Sequence, residues 1–326
     1  MHTLIESRAF MRLIAGAGVA LYTACAPAQQ AWPNRPLRLI VPLAPGGTTD
    51  ILARTMGPLL TAGLGQPVVV ENRGGAGGVV GTDVVAKAAA DGYTILLSSA
   101  DTYNVNAGLF PKLPYDARKD LKPVSILAAS PNMLSVHPSL PVKSVAELVA
   151  LSKARPRDLS YGVGGAGGQL RMEMIKMQTG LQITNIPYKG SGPALIDLVA
   201  GHIQAGFFNL VATAPFVDSG RVRGLLITGS KRSERLPRVP FAAEAGIKGF
   251  EENAGYMIMV PSATPADIVS RLHREIIRVL AAQEVKGRLA QDGSEVIGSS
   301  TEQATATLLR DIEVIADLIR RTGIKQ

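Results

Sequence analysis

Two glycine-rich stretches, each placed between an apolar run and a helix-forming one, carry the plainest chemistry in this 326-residue chain. The first is Ala44-Pro45-Gly46-Gly47-Thr48-Thr49-Asp50. A loop that opens a helix leaves the first N–H groups without intrahelical partners and aims the positive end of the helix dipole outward. Paired glycines let the backbone approach a guest closely, so such a loop suits an anion. Pro45, Gly46, Gly47 and Thr48 are therefore read as binding residues. Taken alone, the loop is equally an ordinary strand-to-helix connection with Thr48 as N-cap. Asp50 is read as structural, because its carboxylate would repel a bound anion. The second stretch is Tyr161-Gly162-Val163-Gly164-Gly165-Ala166-Gly167-Gly168-Gln169. Gly164, Gly165, Ala166, Gly167, Gly168 and Gln169 again lead into a helix, and are candidate binding residues on the same grounds. Gly162, Gly164 and Gly167 also satisfy G-x-G-x-x-G, the dinucleotide fingerprint. That reading needs an acid at the end of the following strand, and Ile183-Thr184-Asn185-Ile186-Pro187 contains none.

Three further places stand where apolar runs end. Ala100, Asp101 and Thr102 follow an apolar run, where ligands of open α/β sheets sit; Asp101 either accepts from a ligand hydroxyl or amine or caps a helix. Lys189 ends another run and would pair with a second carboxylate or bridge two lobes. Phe208 and Asn209 close a third run, the one apolar, the other offering an amide. Other chemistry is missing. His2, His137, His202 and His273 lie at no metal-ligand spacing, and no serine nucleophile elbow or P-loop is present. No metal, no cofactor and no catalysis are expected, and His202 and His273 read as surface residues.

The elements that must hold these loops alternate. Apolar runs at residues 37–43, 67–71 and 93–98 read as strands, with helices at about 49–61 and up to 87. The grammar restarts after about residue 138, with a helix near 144–154, strands at 159–163, 183–187, 203–209 and 222–228, and helices between them. Strands alternating with helices argue for parallel sheets covered on both faces. Another extended run covers 250–261, and the tail to 321 reads as helical with no sheet of its own. The expected architecture is α/β: two doubly wound lobes joined by a two-strand hinge, lobe 1 being 29–127 plus 250–326 and lobe 2 128–249.

Residues 1–28 read as a signal peptide: Arg8 and Arg12, an apolar stretch over 13–24, then Ala26-Pro27-Ala28 as an A-x-A site. Export to the periplasm follows. Cys25, the one cysteine, falls inside the leader, and Tyr22 departs from the aliphatic residue of a lipobox, so a lipid anchor is not expected. The formal charge is +8; removing Glu6, Arg8 and Arg12 subtracts +1 and leaves +7. The basic residues are scattered, without the dense or aromatic-interleaved runs of a nucleic-acid binder, so no nucleic-acid partner is expected.

Five motifs carry a resemblance. Trp32-Pro33-Asn34-Arg35-Pro36-Leu37, Pro45-Gly46-Gly47-Thr48-Thr49-Asp50, Val70-Glu71-Asn72-Arg73-Gly74-Gly75-Ala76-Gly77-Gly78, Asp91-Gly92-Tyr93-Thr94 and Ile186-Pro187-Tyr188-Lys189-Gly190 occur in that order. Together they resemble the Bug family, the extracytoplasmic solute receptors of tripartite tricarboxylate transporters. The resemblance implies a type II periplasmic-binding-protein fold and capture of a small organic acid. Its carboxylate would be held by backbone N–H groups of two facing loops with ordered waters. It also implies a two-component membrane transporter as partner, and a monomer is expected. The same cleft would equally serve a ligand sensor acting on a membrane signalling partner. A secreted α/β hydrolase would need a nucleophile–base pair that the sequence lacks. Two positions depart from the family pattern: Gln169-Leu170 stands in place of a His-Leu pair, and Phe208 in place of an Asp. Both imply altered contacts to the ligand's distal end.

Overall fold

A computed structural model describes residues 32–110, 112–156, 158–229, 231–250, 254–290 and 294–322. The leader, 1–28, lies outside the described residues. From Arg35 onward the chain forms one compact unit built on two sheets, one of six strands and one of five.

The first sheet has the order β11-β4-β10-β3-β1-β2. Strands β1 (Leu37–Val41), β2 (Val68–Asn72) and β3 (Thr94–Ser99) run parallel, with Leu37 opposite Val68 and Arg38 opposite Thr94. Leu37, Leu39, Ile40 and Val41 are fully buried, as expected where helices cover both faces of a sheet and leave no polar side. Helix α1 (Thr48–Leu64) follows β1 and buries Leu52, Ala53, Met56, Leu60 and Leu64, a stripe at helical spacing. It stops at Gly65, whose φ of 71° is the left-handed conformation that favours glycine. A short 3-10 turn and α2 (Val79–Ala86) follow β2, and α3 (Ala100–Leu109) follows β3.

The chain leaves this sheet along β4 (Leu121–Ser130), turns at Pro131 and enters the second sheet as β5 (Asn132–Val136). That sheet has the order β7-β6-β8-β5-β9. Helix α4 (Val145–Ala154) precedes β6 (Ser160–Val163), and its N-cap Ser144 accepts from the Glu147 N–H. Then come α5 (Ala166–Thr179), β7 (Thr184–Ile186), α6 (Ser191–Ala200), β8 (Ala205–Asn209), α7 (Leu210–Asp218) and β9 (Arg223–Ile227). The core of this layer packs Tyr161, Phe207, Leu226 and Phe250 together.

The chain returns through β10 (Ala254–Pro261) into the middle of the first sheet, antiparallel to β3 and β4. Helices α8 (Ala266–Leu280), α9 (Gln283–Ala290) and α10 (Thr301–Thr322) follow. The sequence reading needs correction in two places. Both sheets are mixed, because β10 in the first and β5 in the second run against their neighbours. The tail also contributes a strand: β11 (Glu295–Val296) pairs with β4. Two residues leave no periodicity to read, and the pairing is fixed beyond them by Ser125 and Ser299. The Ser125 hydroxyl donates to the Ser299 carbonyl, 2.8 Å, and the Ser299 hydroxyl accepts from the Ile126 N–H, 2.9 Å. No helix among the described residues is long and apolar enough to cross a membrane.

Candidate functional site

Five helices begin at the carboxyl ends of parallel strands, and their first turns converge. They are α1 after β1, α3 after β3, α5 after β6, α6 after β7 and α7 after β8. Residues at or beside all five starts line one cavity of about 60 Å³, among them Thr48, Ser99, Gly167, Ser191 and Asn209. Three starts, at Gly47, Gly165 and Gly190, have no side chain capping the helix. Their first-turn N–H groups lack i−4 partners by helix geometry, and the dipoles add a positive potential. A half-open space ringed in this way selects for negative charge.

The side chains agree with the backbone. Thr48 and Asn209 are 4% and 6% exposed, yet Thr48 Oγ1 and Asn209 Nδ2 have no hydrogen-bond partner. Asn209 caps α7: its Oδ1 accepts from the Val211 N–H at 2.9 Å, which leaves Nδ2 as the spare donor. The acid that lines the cavity, Asp50, is already committed. It accepts from the Gly46 N–H at 3.0 Å and from Arg54 Nε at 3.0 Å, while Arg54 also donates to Asn72 Oδ1. Burial pushes the Asp50 pKa up, but the bonds from Arg54 and Gly46 outweigh it, and the net position is below the usual carboxylate value. Asp50 therefore stays ionised and anchors the loop, as the sequence suggested.

The two layers touch at the cavity's rim through backbone. The Ala44 N–H donates to the Lys189 carbonyl at 3.1 Å. A Cβ on Gly192 would run into the Pro45 carbonyl oxygen, and one on Gly190 would come within 2.7 Å of Ala44 N. On the opposite flank, Val105 and Leu109 of α3, Leu170 of α5 and Ile319 of α10 share an apolar cluster.

The residues singled out by sequence divide into groups. Gly47, Thr48, Gly164, Gly165, Gly167, Gly168, Phe208 and Asn209 line the cavity together. Pro45 and Gly46 do not: both are exposed, and the Gly46 N–H is taken by Asp50. Ala166, Gln169 and Lys189 line a neighbouring cavity with Tyr188 and Asn185. Ala100, Asp101 and Thr102 form the first turn of α3, and their side chains lie outside the described residues. Thr48 is not the N-cap; Gly47 takes that place and frees the Thr48 hydroxyl. His273 is not a plain surface residue, since its Nε2 lies 3.0 Å from the Ser299 carbonyl. Sequence reasoning missed Ser191, Phe207, Asn132 and Tyr256. Ser191 had a signal: Gly190-Ser191-Gly192 opens a helix just as the first two loops do. Asn132 and Tyr256 had none, because strand crossings bring them in.

Comparison with known proteins agrees with this geometry. Residues 52–324 match the model of the tripartite tricarboxylate transporter family receptor. BugT of Bordetella pertussis is 39% identical over 320 residues, covering 96% of this chain and 98% of that protein. The chain belongs to the Bug family of tripartite tricarboxylate transporter receptors. Members of this family are periplasmic solute receptors, and the fold is that of the periplasmic binding proteins. An R. palustris protein solved with adipate has a TM-score of 0.85 and 37% identity, covering 90% of this chain and 99% of that one. MatC from Rhodopseudomonas palustris, solved with bound malate, has a TM-score of 0.85 and 31% identity over 88% of this chain and 100% of that one.

Proposed function

We propose that this receptor captures a small organic acid by closing its two layers on the acid's carboxylate, then presents it to a two-component membrane transporter. The observation that carries this reading is the cavity between the helix starts. Five helix starts surround it, two buried donors in it have no partner, and its one lining acid among the described residues is neutralised by Arg54. A carboxylate answers each of these: it accepts several N–H bonds at once and balances the dipoles. The relatives solved with adipate and malate support the ligand class.

In this reading the layer of the first sheet moves against that of the second, close to the expected division of 29–127 plus 250–326 from 128–249, bending where β4 passes into β5 and where the chain returns to β10. The chain makes and breaks no covalent bond. It acts as a monomer in the periplasm after loss of residues 1–28, and Cys25 goes with them. Gly47, Thr48, Gly164, Gly165, Gly167, Gly168 and Asn209 grip the carboxylate, and Phe208 closes the apolar side.

Thermal denaturation of the purified protein with a broad panel of mono- and dicarboxylates tests this. At a concentration of about 100 Kd, a ligand that binds only the folded form adds ~2.7 kcal/mol and raises Tm. No rise with any acid of the panel, aromatic acids included, would sink the reading.

A further inference from the structure

The basic residues are scattered along the sequence, but folding sorts them. Between 128 and 249, the stretch that holds the second sheet, there are 14 Lys and Arg against 7 Asp and Glu. The rest of the chain after residue 28 has 18 of each, so the whole excess of +7 belongs to that stretch. An imbalance of this kind sets what a surface attracts.

Part of the excess gathers on the β9 edge of the second sheet. Beyond β9 the chain returns beside it: Ile227 pairs with Phe241, and Leu236 and Val239 are buried against Met133, Leu210 and Ala214. With these two held inward, Lys231 and Arg238 are left exposed. A Cβ on Gly224 would lie 3.1 Å from Val239 Cγ2, so Arg223 and Arg238 flank one contact. Arg223 Nη1 donates to the Leu140 and Val142 carbonyls at 3.1 and 2.8 Å, which brings Lys143 to the same edge. Arg235 pairs with Asp218 at the end of α7, and Arg221 follows three residues later, its guanidinium 5.6 Å from the Phe216 ring centroid. Arg232 pairs with Glu244. Seven cations thus meet four acids, counting Glu147, which accepts from the Lys143 N–H, and the exposed Glu234. Lys143, Arg221, Arg223, Lys231 and Arg238 have no ion pair among the described residues.

None of the large hydrophobic residues exposed among the described residues falls between 215 and 248. A protein interface draws its energy from apolar anchors at its centre, and this edge exposes none. Spread cations without an anchor match spread anions. Five of the seven are arginines, whose forks take phosphate oxygens in pairs. We infer that the β9 edge docks on a bilayer with anionic phospholipid headgroups, held by charge and without insertion. The acid site is separate: α7 starts beside Asn209 and ends at Asp218, roughly 13 Å of helix further on. A receptor attached in this way keeps its cleft free and seeks a membrane partner in two dimensions instead of three.

The test is co-sedimentation of the chain from residue 29, which keeps the compact unit, with vesicles of phosphatidylcholine alone or with roughly one third phosphatidylglycerol. Binding should need the phosphatidylglycerol, and salt at about 0.5 M should abolish it, the screening length falling to a few ångströms. A cation near such a surface contributes about fivefold to partition, the equivalent of ~1 kcal/mol. Arg238→Gln alone should therefore cost about fivefold, and Arg221→Gln with Arg238→Gln roughly 25-fold. Arg271→Gln with Arg274→Gln removes the same charge from α8 of the first layer; it should change attachment by less than about twofold. All three variants should keep the wild-type Tm. Equal losses in the two double variants would show that net charge acts and not the edge, and would overturn the inference. So would binding to phosphatidylcholine alone, persistence in high salt, or no sedimentation at all, the last leaving an acidic protein as the occupant. None of these outcomes touches the carboxylate reading, since the vesicles carry no small acid.

Discussion

Gly192 is the place where closure can be blocked without touching the ligand. It is the second residue of α6, and a Cβ built on it collides with the Pro45 carbonyl oxygen of the other layer, with Pro45 C at 3.1 Å and Gly46 Cα at 3.2 Å. Relief to an ordinary contact requires the 42–47 loop to retreat by about 1.4 Å. The Ala44 N···O Lys189 bond, 3.1 Å long, would then stretch out of hydrogen-bonding range. Overpacking of this kind costs roughly 1–3 kcal/mol and the lost bond about 1 kcal/mol more. Gly192→Ala should therefore weaken acid binding by roughly 30- to 1,000-fold.

The same substitution should have the opposite effect on the free protein. In the open form the collision is absent, and Ala in a helix is favoured over Gly by up to ~1 kcal/mol. The unliganded Tm should therefore rise by about 1–3 °C. Gly287→Ala is the control: it lies inside α9 with open space around it, so it should give the same rise and leave binding unchanged. Differential scanning calorimetry and isothermal titration read both quantities. Wild-type affinity in Gly192→Ala would refute the closed seam as the bound state. A large fall in its unliganded Tm would show instead that the seam is already formed without ligand.

Three more outcomes follow from the same geometry. Thr48→Val keeps the shape but removes a buried hydroxyl that has no partner; unliganded stability should hold or rise, while acid affinity falls roughly 10-fold or more by titration. Asp50→Ala removes the anchor of the Gly46 N–H and Arg54, both of which can turn to water, so urea unfolding should show a loss of about 1 kcal/mol together with weaker acid binding. Glu71 is held down at about 2 by its bond from Arg38, against desolvation and with help from Arg73. A depressed carboxylate stabilises the fold above its unfolded value and loses that effect as pH falls to its folded one. Wild type and Glu71→Gln should differ in Tm near neutrality by no more than ~1 kcal/mol equivalent, the pair being partly solvent-exposed, and converge as pH drops to about 2. A constant difference down to that pH would refute the assignment.

Local grammar in the sequence reached far into the fold, because each parallel strand ends at a glycine or polar break and each helix starts there. Runs such as 37–43 and 159–163 became β1 and β6, and the loops after them form two sides of the cavity. What stayed hidden depends on pairing over long separations. β11 is too short to show a period, and its place beside β4 is set by the Ser125 and Ser299 bonds. Pro45 and Gly46 were read as ligand contacts from their glycine-loop chemistry. No sequence rule says that Asp50 four residues later takes the Gly46 N–H first. The glycines of the seam were legible as turn residues only; that Gly192 faces Pro45 is a fact about two layers meeting.

The site is poorly balanced on its own donors and dipoles, and that imbalance explains how one small anion can govern the whole molecule. Thr48 Oγ1 and Asn209 Nδ2 are desolvated without partners, at about 1–3 kcal/mol each. The starts of α1, α5 and α6 face one another with uncapped N–H groups, so their dipoles repel. Opening lets water reach all of these groups. Against this the seam offers the backbone bond at Ala44, the apolar cluster around Val105 and Leu170, and Ile51 packed on the cluster of Ala194, Leu195 and Leu198. A carboxylate satisfies the donors and balances the dipoles only when both layers reach it together. Its differential affinity is then the quantity that moves the equilibrium. In the proposed reading, a grip made of backbone N–H groups is insensitive to most side-chain changes, so the choice among acids falls to the side chains beyond it.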